Sequence, residues 1–281
     1  MSDIAAQRGA RLVHANGIDI ACTDAGDGPP LVLLHGALAS TGPVWAGSRV
    51  AYVDHLQTLA KHFRVIAPDT RGSGATVHDG GPVTFDVLAD DVVALIEALD
   101  LGPVLLAGFS EGAATATVTA LRRPGLVRAL VNHAGFDYFD AAFAEHLDQV
   151  FRPTFGGRPA ATQADPDAAE QAFGAVPPMA ETFSRMRVDY DQAQGEGYWR
   201  TYLGQFFERT TTPVGYSTAD LAAISAPTLI LAGDRDFFCT VEAACAAYRS
   251  LTAGELAIVP DTGHDITAAV IDTMTGFLTK V

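Results

Sequence analysis

Short, continuously apolar runs bounded by glycine and proline recur along this chain, and most are followed by a stretch with helical periodicity. "PPLVLLHG" and "FRVIAPD" read as strands buried on both faces of a parallel sheet. In "TFDVLADDVVALIEALDLG" the residues Leu88, Val92, Leu95, Ile96 and Leu99 fall on one helical stripe, with Thr84 placed to cap its start and Gly102 to end it. "PVLLAGFS" is the next strand, "EGAATATVTALRRPG" the next helix and "VRALVNHAG" another strand. The alternation resumes in "APTLILAGDRD", "TVEAACAAYRSL", "ELAIVPDTGHD" and "ITAAVIDTMTGFLTKV". At the start, "RLVHA" and "IDIACTDAG" flank Asn16-Gly17, the signature of a hairpin. The pattern predicts an α/β fold: a mostly parallel, doubly wound sheet of about eight strands with flanking helices.

Residues 136–216 break the rhythm. They show no strand pattern, yet most of the chain's 15 Phe, 7 Tyr and 2 Trp residues lie there, between Gly/Pro-rich breaks such as "RPTFGGRP" and "VPPM". The expected organisation is a core made of residues 1–135 and 217–281, with 136–216 a helical cap, or lid, inserted after the sixth strand. The plainer reading is that these aromatics form a small core of their own, with only a few facing a pocket.

The bulk properties narrow the function. A net charge of −15 with no Lys/Arg-rich run repels phosphate backbones and anionic lipid, so nucleic acid and membranes are poor partners. Cys22, Cys239 and Cys245 are scattered and lack C-x-x-C spacing, which argues against a disulfide framework or a zinc site. The start lacks a long apolar signal region, and no apolar run reaches the roughly 18–20 residues of a membrane helix. A soluble cytoplasmic protein is expected. "GSGAT" has neither the lysine of a phosphate loop nor dinucleotide spacing, so no cofactor and no metal are expected.

Chemistry concentrates in "GFSEG", residues 108–112, where a strand turns into a helix. A tight turn would lift the Ser110 hydroxyl clear of the sheet, and bare glycines at 108 and 112 would let strand and helix approach. The helix N-terminus beside it favours negative charge. The alternative is that Ser110 only caps the helix. A reactive serine needs a base, and His264 in "IVPDTGHDI" lies after the last strand, at the sheet edge that also carries Ser110. An acid must hold that histidine's tautomer, and "LILAGDRDFF" offers Asp234 and Asp236 at the end of another strand.

Taken together, "LLHGALAS", "APDTRGSG", "GFSEG", "GDRD" and "GH" resemble the motifs of the α/β-hydrolase fold superfamily, in its serine-nucleophile branch, over nearly the whole chain. The resemblance implies a triad of Ser110, Asp236 and His264, with Asp236 preferred over Asp234 as the last residue of G-x-x-D. Some relatives carry the acid after the sixth strand, where this chain has Asp137. It also implies an oxyanion hole formed by the backbone N–H groups of Ala37 and Glu111. His35 then braces its loop, and Asp69 and Arg71 tie down a structural turn. Family members that act as haloalkane dehalogenases or epoxide hydrolases use an aspartate at the elbow, and Ser110 argues against both.

The expected activity is hydrolysis of a small carboxylic ester, lactone or related acyl compound with an apolar acyl group, through an acyl-enzyme on Ser110. The alternatives are a cofactor-free perhydrolase, a biosynthetic acyltransferase with the same triad, and a non-catalytic ligand-binding protein. The Glu111 side chain has two readings. Either it turns away, as a first-turn acid or the partner of an arginine, or it enters the pocket and selects a cationic substrate.

Overall fold

Arg11–Ala15 (β1) and Ile18–Ala25 (β2) pair antiparallel in the computed structural model, joined by a two-residue turn in which Asn16 and Gly17 both have positive φ (49° and 77°). That is the backbone a tight hairpin demands, and Asn-Gly is the dipeptide that tolerates it. The structure describes residues 11–37, 55–78, 80–140, 142, 143, 145, 146, 149, 177–212 and 214–281. The other strands are Pro30–Leu34 (β3), Arg64–Pro68 (β4), Val104–Phe109 (β5), Val127–His133 (β6), Thr228–Gly233 (β7) and Gly254–Val259 (β8). They form one sheet in the order β1-β2-β4-β3-β5-β6-β7-β8. β2 meets β4 antiparallel, and every pair from β4 to β8 is parallel.

Side chains of the central strands divide by parity, because successive residues face opposite sides of a sheet. Val32, Leu34, Leu106, Leu130 and Ile230 share one face. Leu31, Leu33, Leu105, Val131 and Leu229 share the other. The first face is covered by three helices: Phe85–Ala98 (α2), Glu111–Arg122 (α3) and Val241–Ser250 (α6). The second is covered by His55–Leu59 (α1) and Ala268–Leu278 (α7). Helices on both faces make the sheet doubly wound. Leu31, Leu33 and Leu34 are sealed from solvent, and burial of a side chain of that size contributes about 1.5–3 kcal/mol. Thr84 caps α2 as its sequence suggests, its hydroxyl accepting the Val87 N–H. The helix stops at Ala98, before Gly102, as Asp100 turns to positive φ.

Two further helices, Pro177–Gln194 (α4) and Tyr198–Thr211 (α5), lie between β6 and β7 in the chain. Phe183, Met186 and Tyr190 from α4 meet Trp199, Tyr202, Leu203, Phe206 and Phe207 from α5 in a separate apolar cluster, which Phe143 joins. Residues 150–176 of the expected insertion lie outside the described residues. Among the described residues, no helix is long and apolar enough to cross a membrane.

The turn in "APDTRGSG" is structural. Arg71 donates to both carboxylate oxygens of Asp91 on α2 at 2.9 and 2.6 Å, and Asp69 accepts the Ala75 N–H at 2.9 Å. His35 spans two loops, with Nδ1–H donating to Gly36 O (2.8 Å) and Nε2 accepting the Thr70 N–H (3.0 Å). Those bonds occupy both ring nitrogens of His35 and leave it as a brace.

Candidate active site

The parallel strands all end at one edge of the sheet, and the loops beyond β3, β5, β6, β7 and β8 gather there. Ser110 sits at the β5–α3 junction with φ 53° and ψ −122°. A non-glycine residue held at such angles costs about 1–3 kcal/mol, which the surroundings must fix in place. The Ser110 N–H donates to His133 O (2.8 Å), and its carbonyl accepts from Ala113 and Ala114 (2.9 and 3.1 Å). Its hydroxyl makes no capping bond to α3, which sets aside the helix-cap reading. The flanking glycines have a steric cause. A Cβ at 108 would run into the Gly112 carbonyl, and one at 112 into the carbonyls of Leu34 and His35.

His264 and Asp236 meet directly. The His264 Nδ1–H donates to Asp236 Oδ2 at 2.8 Å, and the Asp236 side chain is fully buried. Asp236 Oδ1 accepts the N–H groups of Phe238 and Cys239, each at 2.9 Å. Burial pushes the Asp236 pKa up, but the bond from His264, its charge and the two backbone donors outweigh burial and hold it below the usual carboxylate value. With Nδ1 committed as a donor, His264 Nε2 is left as the ring's acceptor. The ring rests on Phe109, the residue before Ser110, at 4.7 Å between centroids, and on Phe238 at 4.9 Å.

The other candidate acids bond other groups. Asp234 is exposed and accepts the Thr262 N–H at 3.1 Å. Asp137 is buried, accepts the Thr240 N–H at 3.2 Å through Oδ2, and leaves Oδ1 without a partner. Burial, with help from the charges of Asp236 and Asp140, raises its pKa to about 7. This has a consequence for stability. Between the ordinary carboxylate pKa of 3.8 and about 7, folded Asp137 keeps a proton that the unfolded chain releases. Stability contributed by this group therefore falls as pH rises through that window. Asp137→Asn keeps an oxygen for Thr240 and removes the titration. Its stability relative to wild type is expected to rise by about 3 kcal/mol between pH 5 and pH 8. Urea unfolding of both proteins at the two pH values checks this, and an equal difference at both would refute it.

Ala37 follows His35-Gly36 and packs against the α4–α5 cluster, and a Cβ on Gly36 would lie 3.2 Å from Ser110 Cβ. Glu111 is the first residue of α3, so no helical turn uses its N–H. Its side chain turns to Arg209 on α5, whose Nε and a terminal nitrogen reach Glu111 Oε1 at 2.7 and 2.6 Å. Of the two readings of Glu111, the structure shows the one paired with an arginine. Arg209 itself escaped the sequence reading. Its signal was a charge on the apolar stripe of α5, three residues after Phe206. Tyr138 also went unnoticed: its phenol lies beside the Ser110 hydroxyl, and its ring packs on Phe85 and Phe143 at 5.2 and 4.5 Å.

Asp236, Cys239 and His264 each bring a donor atom within 4.8 Å of the others, a spacing a metal ion could span. Asp236 and His264 are already bonded to each other, and the Cys239 thiol donates to Ala134 O at 3.0 Å.

The sequence profile of the alpha/beta hydrolase fold family matches residues 29–267. The AB hydrolase superfamily protein YisY of Bacillus subtilis is 28% identical over 256 residues, covering 86% of this chain and 87% of that one. The 2-hydroxy-6-oxo-2,4-heptadienoate hydrolase of Pseudomonas putida is 37% identical over 136 residues, covering 47% of this chain and 46% of that one. Among solved structures, a meta-cleavage product hydrolase (CumD) from Pseudomonas fluorescens superposes with a TM-score of 0.72 at 21% identity, covering 96% of each chain.

Proposed function

Because the chain belongs to the alpha/beta hydrolase fold family, we propose that it is a serine hydrolase of small, apolar carboxylic esters or lactones, working through an acyl-enzyme on Ser110. The observation that carries this reading is the buried Asp236–His264 pair at the sheet edge where Ser110 is held at positive φ with its hydroxyl left out of the helix cap. In this reading Ser110 Oγ attacks the acyl carbon as His264 Nε2 takes the hydroxyl proton, and Asp236 stabilises the imidazolium. The carbonyl oxygen becomes an oxyanion facing the N–H groups of Ala37 and Glu111, where each such donor contributes about 3–4 kcal/mol. Collapse breaks the bond to the leaving alcohol, which collects the proton from His264. Water then repeats the sequence on the acyl-enzyme, releasing the acid and restoring Ser110.

The α4–α5 pair serves as a cap. Its aromatic cluster packs on Ala37, Tyr138 and Phe238, which respectively adjoin the proposed oxyanion hole, Ser110 and His264. Those neighbours are apolar or aromatic, which supports an uncharged acyl group. A second reading is hydrolysis of a 2-hydroxy-6-oxo-dienoate, favoured by the 37% identity to the Pseudomonas putida enzyme. Assays of neutral p-nitrophenyl esters beside such a dienoate separate the two. The test of the chemistry itself is a fluorophosphonate, which is expected to label the folded protein once, at Ser110. Peptide mapping that finds the adduct elsewhere, or no adduct, would falsify the serine-hydrolase reading.

A further inference from the structure

Glu111 and Arg209 are 98 residues apart and form an ion pair whose side chains are only 4% and 3% exposed. A buried ion pair is a poor source of stability, since desolvation of both charges offsets most of their attraction, and two apolar residues of similar volume would serve the fold as well. The carboxylate also stands in an awkward place. It belongs to the residue directly after Ser110, where the proposed chemistry develops negative charge.

We propose that Arg209 is a positioning residue for Ser110, acting through Glu111, so that the α4–α5 segment completes the reacting site as well as covering it. The inference rests on the serine-hydrolase reading. Two Arg209 nitrogens hold Glu111 Oε1, while a third donates to the carbonyls of Gln205 (3.2 Å) and Val83 (3.3 Å). The guanidinium is thereby fixed, and the Glu111 carboxylate is neutralised and turned onto α5. The first turn of α3, with the N–H assigned to the oxyanion, is held by the same contact.

Arg209 can do this only while the α4–α5 pair is docked. The docking is specific: Gln194 Nε2 donates to the carbonyls of Gly74 and Thr76 at 3.1 and 2.8 Å, Gln205 meets His78 at 2.8 Å, and the Tyr190 hydroxyl donates to Ser73 Oγ at 3.3 Å. A cap that lifted away would take Arg209 with it and leave a carboxylate uncompensated beside the nucleophile. Reactivity of the serine is in this way tied to cap closure.

The experiment compares wild type, Arg209→Met, and Arg209→Met combined with Glu111→Gln. It measures the rate of fluorophosphonate labelling and kcat and KM on p-nitrophenyl butyrate, with urea unfolding as the control for folding. Arg209→Met is expected to slow labelling and kcat about a hundredfold, with KM changed by less than about threefold. Removing the Glu111 charge in the double variant is expected to recover about tenfold of that loss, compared under conditions where urea unfolding shows all three proteins fully folded, so that the recovery is one of reactivity and not of folding. Should Arg209→Met fail to fold, Arg209→Gln, which can still hydrogen-bond Glu111, carries the same comparison. Wild type that is not labelled defeats the hydrolase reading and this inference together. Labelled wild type with an equally reactive Arg209 variant, or a double variant no faster than the single, defeats the inference alone.

Discussion

Replacing His264 with alanine is expected to lower kcat on an activated ester about a millionfold, and adding Ser110→Ala is expected to cost almost nothing more. The two residues act as one unit. A serine hydroxyl is a weak nucleophile until a base removes its proton, and the bond from His264 Nδ1 to Asp236 leaves Nε2 as the ring nitrogen able to accept it. Without the histidine the serine contributes little, so its later removal has little left to abolish. What persists is the residual rate that oxyanion donors and substrate binding supply by themselves, about a thousandfold or more over water. Single-turnover and steady-state rates of both single variants and the double decide the matter. Losses that multiply would mean that the two side chains do not act on one proton.

Asp236→Asn is expected to lower kcat about ten thousandfold, while Asp234→Asn stays within about threefold of wild type. The atoms already occupied decide this. Asp236 Oδ1 accepts two backbone N–H groups, from Phe238 and Cys239. An asparagine there must keep its carbonyl oxygen on those donors, which turns its NH2 toward His264. Facing an NH2, the ring has to present Nδ1 as an acceptor and carry its proton on Nε2, the tautomer that cannot take a proton from Ser110. The loop keeps its backbone bonds, so unfolding midpoints should move little while turnover collapses. Asp234 is exposed and bonded to Thr262, away from the ring. If Asp234→Asn or Asp137→Asn proves the crippling change and Asp236→Asn does not, the acid has been misassigned.

Much of the fold was legible because its signals are local. The short continuous apolar runs that became the strands, the Asn16-Gly17 turn and the Thr84 cap each depend on a few neighbouring residues, and the chain carries them whatever lies far away. That Ser110 and His264 would lie at the same sheet edge was legible for a related reason. A parallel sheet delivers all its C-terminal strand ends to one edge, so topology alone brings the two into one region. The glycines at 108 and 112 marked the close approach of strand and helix, although the atoms they make room for include the carbonyls of Leu34 and His35, at the end of a strand far away in sequence.

The choices between equivalent charges were not legible in local chemistry; Asp236 is preferred to Asp234 only through the G-x-x-D register of the family resemblance. Asp234 and Asp236 are two residues apart on the same loop, and only the three-dimensional course of that loop sends one to His264 and the other to Thr262. Asp137 looked like a second candidate acid, but it is buried with a raised pKa and accepts from Thr240, while His264 bonds Asp236. Glu111 had a position but no partner until α5 folded back over the sheet edge and set Arg209 against it. Apolar periodicity states which face of a helix is buried, because water penalises every misplaced methylene alike. It does not state which buried charge meets which, since an ion pair forms wherever docked helices bring opposite charges within about 4 Å, and the docking is decided by the packing of the whole chain.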